Sequence, residues 1–113
     1  MKKEKFTSLT IDPKVSTTWF LMDMADHNGC SIQVAWSGLT AASAINIDLQ
    51  VQQSNDGVHM DDIAPFFFNI TSAADSVTFE HNAFEAAACY LKVTATDCTG
   101  GTMECHNVRR VMS

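Results

Sequence analysis

The stretch Ile45-Asn46-Ile47-Asp48-Leu49-Gln50-Val51-Gln52-Gln53, followed by Ser54-Asn55-Asp56-Gly57, decides the fold of this 113-residue chain. Apolar and polar residues alternate along it with a period of two, which sends successive side chains to opposite faces of a strand. The aliphatic residues therefore predict a buried face. Residues 54–57 tolerate positive φ and predict a hairpin turn, after which residues 58–60 would return antiparallel to the first strand.

Strand signals recur along the rest of the chain. Alternating, β-branched or aromatic segments lie at 17–22, 30–37, 66–70, 76–80, 89–96 and 102–111. Pro65 confines the third of these to the edge of a sheet, and the small or polar residues at 38–44 and 97–101 predict loops. Seven to eight short strands without a long helical period predict an all-β antiparallel β-sandwich, either jelly-roll or Ig-like.

The domain organisation follows from the same pattern. Residues 1–14 are rich in lysine and are separated from the first strong strand by Asp12-Pro13, so they predict an extended N-terminal arm. Residues 15–113 then form a single domain, because a chain of this length has room for one core. No stretch approaches the ~18 consecutive apolar residues of a membrane span, and residues 6–12 are too polar for the core of a secretion signal.

The charges of the chain are unevenly distributed, although 13 acidic and 7 basic residues give a net charge of −6. Residues 1–14 hold four lysines and two carboxylates, residues 15–108 hold one lysine and eleven carboxylates, and two arginines follow. The acidic body repels phosphate, which argues against direct binding of nucleic acid. Basic ends and an acidic body suit contact between neighbouring copies, and solvated, loose termini are the alternative.

Catalytic and metal-binding motifs are absent in recognisable form. None of the four histidines stands in a nucleophile motif, and no glycine-rich phosphate loop occurs. Cys98, Cys105 and His106 are close in sequence, but residues 105 and 106 of one strand face opposite sides. The acidic residues around Asp56 lack the alternating ligands of a calcium loop. The sequence therefore predicts a non-enzymatic protein with no cofactor.

The cysteines and tryptophans leave alternatives open. The four cysteines (Cys30, Cys89, Cys98 and Cys105) are compatible with two disulfides, although a reducing cytosol favours buried free thiols, and a metal site is the third reading. Trp19 and Trp36 lie in predicted strands and are interpreted as core residues, whereas a sugar-stacking platform would require exposed rings.

Four segments, in this order, resemble a group of small bacteriophage structural proteins. In that group an "sxQvxW" strand precedes an "xxxvQxSNDGvxW" hairpin, which residues 31–38 and 48–58 match. A "yxxV" strand, here Tyr90-Leu91-Lys92-Val93, and a glycine-led strand at 100–105 come later, while Met60 stands where the group often has tryptophan. The resemblance implies a β-sandwich virion component without chemistry of its own.

The functional hypothesis is a minor capsid or decoration protein, with a tail or fibre component second and a carbohydrate-binding module for host attachment as an alternative class. Other virion proteins, such as the major capsid protein, and further copies of the chain are the expected partners, without direct contact to nucleic acid or membrane. The protein is expected in the virion after synthesis in the host cytoplasm. The predicted assembly contacts are Lys2, Lys3, Lys5, Phe6, Leu9, Ile11, Arg109 and Arg110.

Overall fold

The computed structural model describes residues 4–111 and contains six strands joined by loops. The strands are β1 (Glu4–Ile11), β2 (Thr17–Asp23), β3 (Gly29–Ser54), β4 (Asp61–Ile70), β5 (Asp75–His81) and β6 (Ala88–Arg110). All their pairings are antiparallel. Residues 4–111 contain no helix that could cross a membrane. The all-β prediction is confirmed.

The two long strands, β3 and β6, run through both layers of a sandwich. Layer 1 contains β1, residues 102–110 of β6, residues 29–37 of β3, and β5, in this order. Layer 2 contains β2, residues 88–96 of β6, residues 46–54 of β3, and β4. Eight strand segments in two four-stranded layers with this connectivity form a jelly roll. The structure thus confirms the predicted β-sandwich, and of the two predicted topologies, jelly-roll and Ig-like, it has the jelly-roll.

The core lies between the two layers. Ile47, Leu49 and Val51 are buried on the inner face of layer 2, and Asn46 is exposed on the outer face, as their alternation predicts. Layer 1 contributes Ile32, Val34, Trp36, Met103 and Cys105. Burying one large aliphatic side chain stabilises a fold by roughly 1.5–3 kcal/mol, so this inner face is the main favourable term.

The loops predicted at 38–44 and 97–101 are bends inside continuous strands. The pairing of β3 with β6 shifts register between Ser37 and Asn46, where the two strands cross from one layer to the other. β6 takes the bend with positive φ at Asp97 (55°) and Gly101 (110°). Small and polar residues look like loops locally, but hydrogen bonding to the facing bend keeps both segments extended.

The predicted hairpin between β3 and β4 exists, but its returning strand begins later. Residues 55–60 form the loop, and β4 starts at Asp61, opposite Gln53. Pro65 lies inside β4, where the pairing shifts register, and not just before the strand as predicted. Gln50 fills this irregularity, because its Nε2 donates to the carbonyl oxygens of Ile63 (2.9 Å) and Phe66 (3.3 Å).

The predicted arm is extended but is not separate from the domain. Residues 4–11 pair with residues 103–110 of β6 along eight consecutive positions, so they form an edge strand of layer 1. Ile11 is buried in the core and Leu9 packs against it. The boundary predicted at residue 14 therefore divides β1 from the sheet to which it belongs.

Candidate assembly surface

The two chain ends that were predicted to make assembly contacts meet at one corner of layer 1. The pairing of β1 with β6 places Lys5 opposite Arg109, and Phe6 opposite Val108. We call this end of the strand pair, with Phe6, Val108 and Arg110 on the outer face and Lys5 on the opposite face, the terminal corner. Lys2 and Lys3 lie outside the described residues. A sequence separation of about a hundred residues hid this proximity, which only the strand pairing creates.

The residues predicted as contacts have different roles in the fold. Leu9 and Ile11 face the core, where Ile11 is buried and Leu9 partly buried. The Arg109 guanidinium donates to the backbone carbonyl of Asp23, which joins layer 1 to layer 2. Arg110 Nε lies 3.2 Å from a Glu4 carboxylate oxygen. Of the predicted contacts within residues 4–111, Lys5 and Phe6 are the exposed ones.

Phe6 is the most unusual residue of the terminal corner, since 72% of it is exposed to solvent. A Phe side chain loses roughly 1.5–3 kcal/mol when it stays in water, so an isolated domain gains nothing from this placement. Its cross-strand neighbour Val108 is half-buried and widens the apolar patch. No sequence pattern marks Val108 as a contact residue, because its neighbours depend on the register between β1 and β6.

The four edge strands differ in how open they are to a further strand. The pairings of β2 and β4 are interrupted by register shifts, and β4 also contains Pro65, which lacks a backbone donor. β1 and β5 pair regularly over their whole length. Phe20 of β2 and Phe67 of β4 are also exposed, but of the two regularly paired edges only β1 carries a large exposed apolar side chain, which makes it the edge best suited to contact another chain.

The hairpin loop is rigid and is organised by one carboxylate. Asp56 Oδ1 accepts hydrogen bonds from the backbone amides of Val58 (2.9 Å) and His59 (2.8 Å), and Oδ2 lies 2.7 Å from His59 Nδ1. Asn55 Oδ1 accepts a bond from the Ala87 amide at 2.9 Å and fixes the loop to the rest of the domain. The predicted turn residues 54–57 thus form a stable tip.

The side chains of Asp56 and His59 stabilise each other's charged forms. The hydrogen bond from His59 is the main cause that lowers the pKa of Asp56, and the amides of His59 and Val58 lower it further. The same hydrogen bond raises the pKa of His59 above its usual value, with a smaller contribution from the charge of Asp56. Both groups lie in solvent, and their contact shapes the hairpin loop.

Two shallow clefts open at the same end of the sandwich as the hairpin loop. One has a volume of about 540 Å³ and is lined by apolar residues such as Met24 and Ala86, with Asp26 at its wall. The other, of about 470 Å³, is polar, and Asp61 lines it. Glu85 lines both clefts, which gives this end of the molecule an acidic character.

Clusters of metal-ligating side chains and exposed indole rings are the features that a metal site or a sugar site would use. Within residues 4–111 no three His, Cys, Asp or Glu side chains are placed to share a metal ion. Trp36 is buried and donates from Nε1 to the carbonyl of Ser72 at 3.2 Å, and Trp19 packs against the core. Neither indole ring provides a flat, exposed platform for a sugar.

Comparison with solved structures shows which proteins share this fold. A capsid chain of the Helicobacter pylori bacteriophage KHP30 superposes with a TM-score of 0.63 and 10% identity, over 100% of this chain and 95% of the phage chain. A capsid chain of cyanophage Pam1 superposes with a TM-score of 0.54 and 12% identity, over 98% of this chain and 85% of the phage chain. A chain of the disulfide-linked pili of Bacillus endospore appendages superposes with a TM-score of 0.53 and 10% identity, over 100% of this chain and 88% of the pilus chain.

These likenesses establish a shared architecture, since sequence identity near 10% carries no more than the fold. No family model matches the sequence, and no curated protein matches it either. The fold class is therefore a jelly-roll β-sandwich of the kind found in these phage capsid chains.

Proposed function

We propose that this chain is a structural protein of a bacteriophage particle, a minor capsid or decoration protein that docks on other virion subunits and on its own copies. The observation that carries the proposal is the agreement of the entire chain with nearly the entire length of the KHP30 capsid chain. The order of sequence segments shared with small phage structural proteins supports it independently. A tail or fibre position is the second choice within this class.

The docking surface of this proposal is the terminal corner. Phe6 supplies an exposed aromatic anchor and Lys5 a positive charge, at an edge strand that offers free backbone groups. The body of the chain is acidic, and Asp26, Asp61 and Glu85 line the two clefts at the hairpin end of the sandwich, where the Asn28 amide donates to the carbonyl of Arg110. The acidic clefts therefore lie beside the terminal corner, and docking rests on Phe6 at the edge of β1.

Substitutions at exposed positions test this surface without harming the fold. Deletion of residues 1–11 would not, because it removes Ile11 from the core and β1 from layer 1. We therefore choose Phe6→Glu, and as matched control Val58→Glu, since 72% and 74% of these side chains are exposed. Both replace one exposed apolar residue by the same acid, one on β1 and the other in the hairpin loop.

The assay is incorporation into particles when each variant is produced together with the remaining structural proteins. Loss of an aromatic anchor costs roughly 2 kcal/mol or more, so Phe6→Glu should lower occupancy at limiting protein by about 30-fold. Val58→Glu should incorporate like the parent protein. Normal occupancy of Phe6→Glu would exclude the terminal corner as the docking site, and absence of the parent chain from purified particles would exclude the function itself.

A carbohydrate-binding module is the second candidate, favoured by the outer face of layer 2. Phe20 is 55% exposed and packs edge-on against Tyr90, with ring centroids 5.5 Å apart. Phe67 is also exposed on this face, where it pairs across the strands with Gln50, and Gln50 in turn pairs with Lys92. Binding of glycans on an array, lost in Phe20→Ala, would favour this function, and silence of the array would remove it.

A further inference from the structure

Two buried thiols face each other across the sandwich. Cys30 is the second residue of β3 in layer 1, and Cys89 is the second residue of β6 in layer 2. Their exposed fractions are 2% and 0%, both side chains belong to the same buried core cluster, and each thiol shifts the pKa of the other. One side chain comes from each layer, so a covalent bond at this point would join the two halves of the jelly roll.

The backbone around the pair is held by contacts that also cross between the layers. Cys30 pairs with Arg109 in layer 1, and Ala88, the neighbour of Cys89, pairs with Asp23 in layer 2. The Arg109 guanidinium donates to the carbonyl of Asp23. The strand ends that carry the two cysteines are therefore fixed relative to each other by an independent contact, next to the thiols.

The two thiols differ in acidity. The hydrogen bond from Cys89 lowers the pKa of Cys30, against the opposing effect of burial, and the charge of Arg110 lowers it further. The same hydrogen bond and burial raise the pKa of Cys89. Burial raises the pKa of the third core thiol, Cys105, to about 12. Cys30 is thus the thiol that most readily becomes the nucleophilic thiolate.

We propose that Cys30 and Cys89 are the site of an oxidative disulfide that joins the two layers, with a peroxide as oxidant. The Cys30 thiolate attacks hydrogen peroxide, takes one oxygen to become a sulfenic acid, and releases hydroxide. The sulfur of Cys89 then attacks the sulfur of Cys30, and the sulfenic oxygen leaves as water with the proton of Cys89. Two thiols and one peroxide give one disulfide and two waters.

The bond would act as a lock that depends on the environment of the protein. In a reducing cytosol both residues stay thiols, and the strands retain freedom to open during folding. In an oxidising medium the bond closes the chain between residues 30 and 89 and limits the unfolded ensemble. A small oxidant suits this site, because neither sulfur is open to a bulky disulfide reagent.

Peptide mapping of the full-length protein tests the proposal. After treatment with hydrogen peroxide and digestion without reductant, we expect one linked pair that contains Cys30 and Cys89, two hydrogen masses below the sum of the separate peptides. Cys98→Ser removes the most accessible thiol and should leave this link unchanged. Cys89→Ser should abolish it and leave Cys30 as sulfenic or sulfinic acid.

A thermal shift provides a readout that does not depend on a variant. The oxidised parent protein should melt about 5 °C or more above the reduced one, and dithiothreitol should reverse the shift. A link of either cysteine to Cys98 or Cys105, or oxidation of Cys30 without any link in the folded parent protein, would overturn the proposal. The test involves no particle or partner, so its outcome is separate from that of the proposed function.

Discussion

The substitution Gly101→Ala probes the point at which the two long strands cross between the layers. Gly101 has φ of +110°, a conformation that L side chains rarely adopt. A Cβ at this position would lie 2.7 Å from Leu39 Cδ2, 2.8 Å from Leu39 Cα and 2.9 Å from the carbonyl oxygen of Gly38. Two of these three atoms belong to the backbone of β3, so a rotamer change of Leu39 cannot relieve the overlap.

The expected cost has two parts. An unfavourable backbone conformation costs about 1–3 kcal/mol, and forcing an extra carbon into a packed site costs about as much again. Gly101→Ala should therefore destabilise the domain by about 2–6 kcal/mol, a large share of the roughly 5–15 kcal/mol of a small protein. Gly38→Ala is the matched control, because its φ is +63° but its Cβ would meet nothing within 4 Å. It should cost only about 1–2 kcal/mol.

Urea unfolding followed by circular dichroism gives both values from the shift in midpoint at constant slope. The comparison isolates the contact between the bends, since both variants place alanine at a glycine of positive φ. Equal destabilisation of the two variants would refute the close approach of β6 to Leu39. It would then also refute the account in which facing bends hold two continuous strands in both layers.

The remaining predictions concern the hairpin region. Gln50→Ala should lower the free energy of unfolding, measured in urea, by about 1–3 kcal/mol, because three backbone carbonyls around the irregularity of β4 lose their donor. The control Gln33→Ala, at an exposed position, should change it by less than about 0.5 kcal/mol. In the Asp56–His59 pair, the pKa of His59 is raised above its usual value of 6.5. His59 therefore contributes to the free energy of unfolding fully below pH 6.5, and this contribution is lost as the pH rises through the raised pKa. Asp56, whose pKa is lowered from its usual 3.8, contributes to the free energy of unfolding above pH 3.8. This contribution is lost as the pH falls through the lowered pKa. In an NMR titration, Asp56→Asn should move the midpoint of His59 down towards 6.5, and an unchanged midpoint would show that the pair does not form in solution.

Local pattern was enough to predict the parts of this fold that local physics determines. The alternation at residues 45–51 specifies an inner and an outer face whatever the partner strand is, and the structure has both faces where predicted. The continuity of β3 through residues 38–44 was not predictable in this way. Those residues are small and polar, and they are extended because β6 bends at the same level.

The residues of the candidate site also fall into those that local sequence predicts and those that depend on long-range strand pairing. The exposed Phe6 and the basic residues were found in the sequence because charge and hydropathy are local properties. Their meeting with Val108 and the engagement of Arg109 by Asp23 depend on pairing across almost the whole chain. Gln50 was predicted only to face outward, and its role in satisfying the carbonyls of β4 follows from a register shift that the sequence does not reveal.

The continuity of β3 and β6 also determines which surfaces remain for assembly. A strand that serves both layers cannot slip in one of them without moving its pairing in the other, so the central strands are fixed and the exposed variation is confined to edges and loops. β2 and β4 protect their edges with irregular pairing, whereas β1 pairs regularly and presents Phe6 to solvent. An isolated protein would be selected to cover or charge such an edge, because open edges promote aggregation. β5 also pairs regularly but presents no large exposed apolar side chain, so the open apolar edge of β1 is the physical reason to expect a partner at the terminal corner.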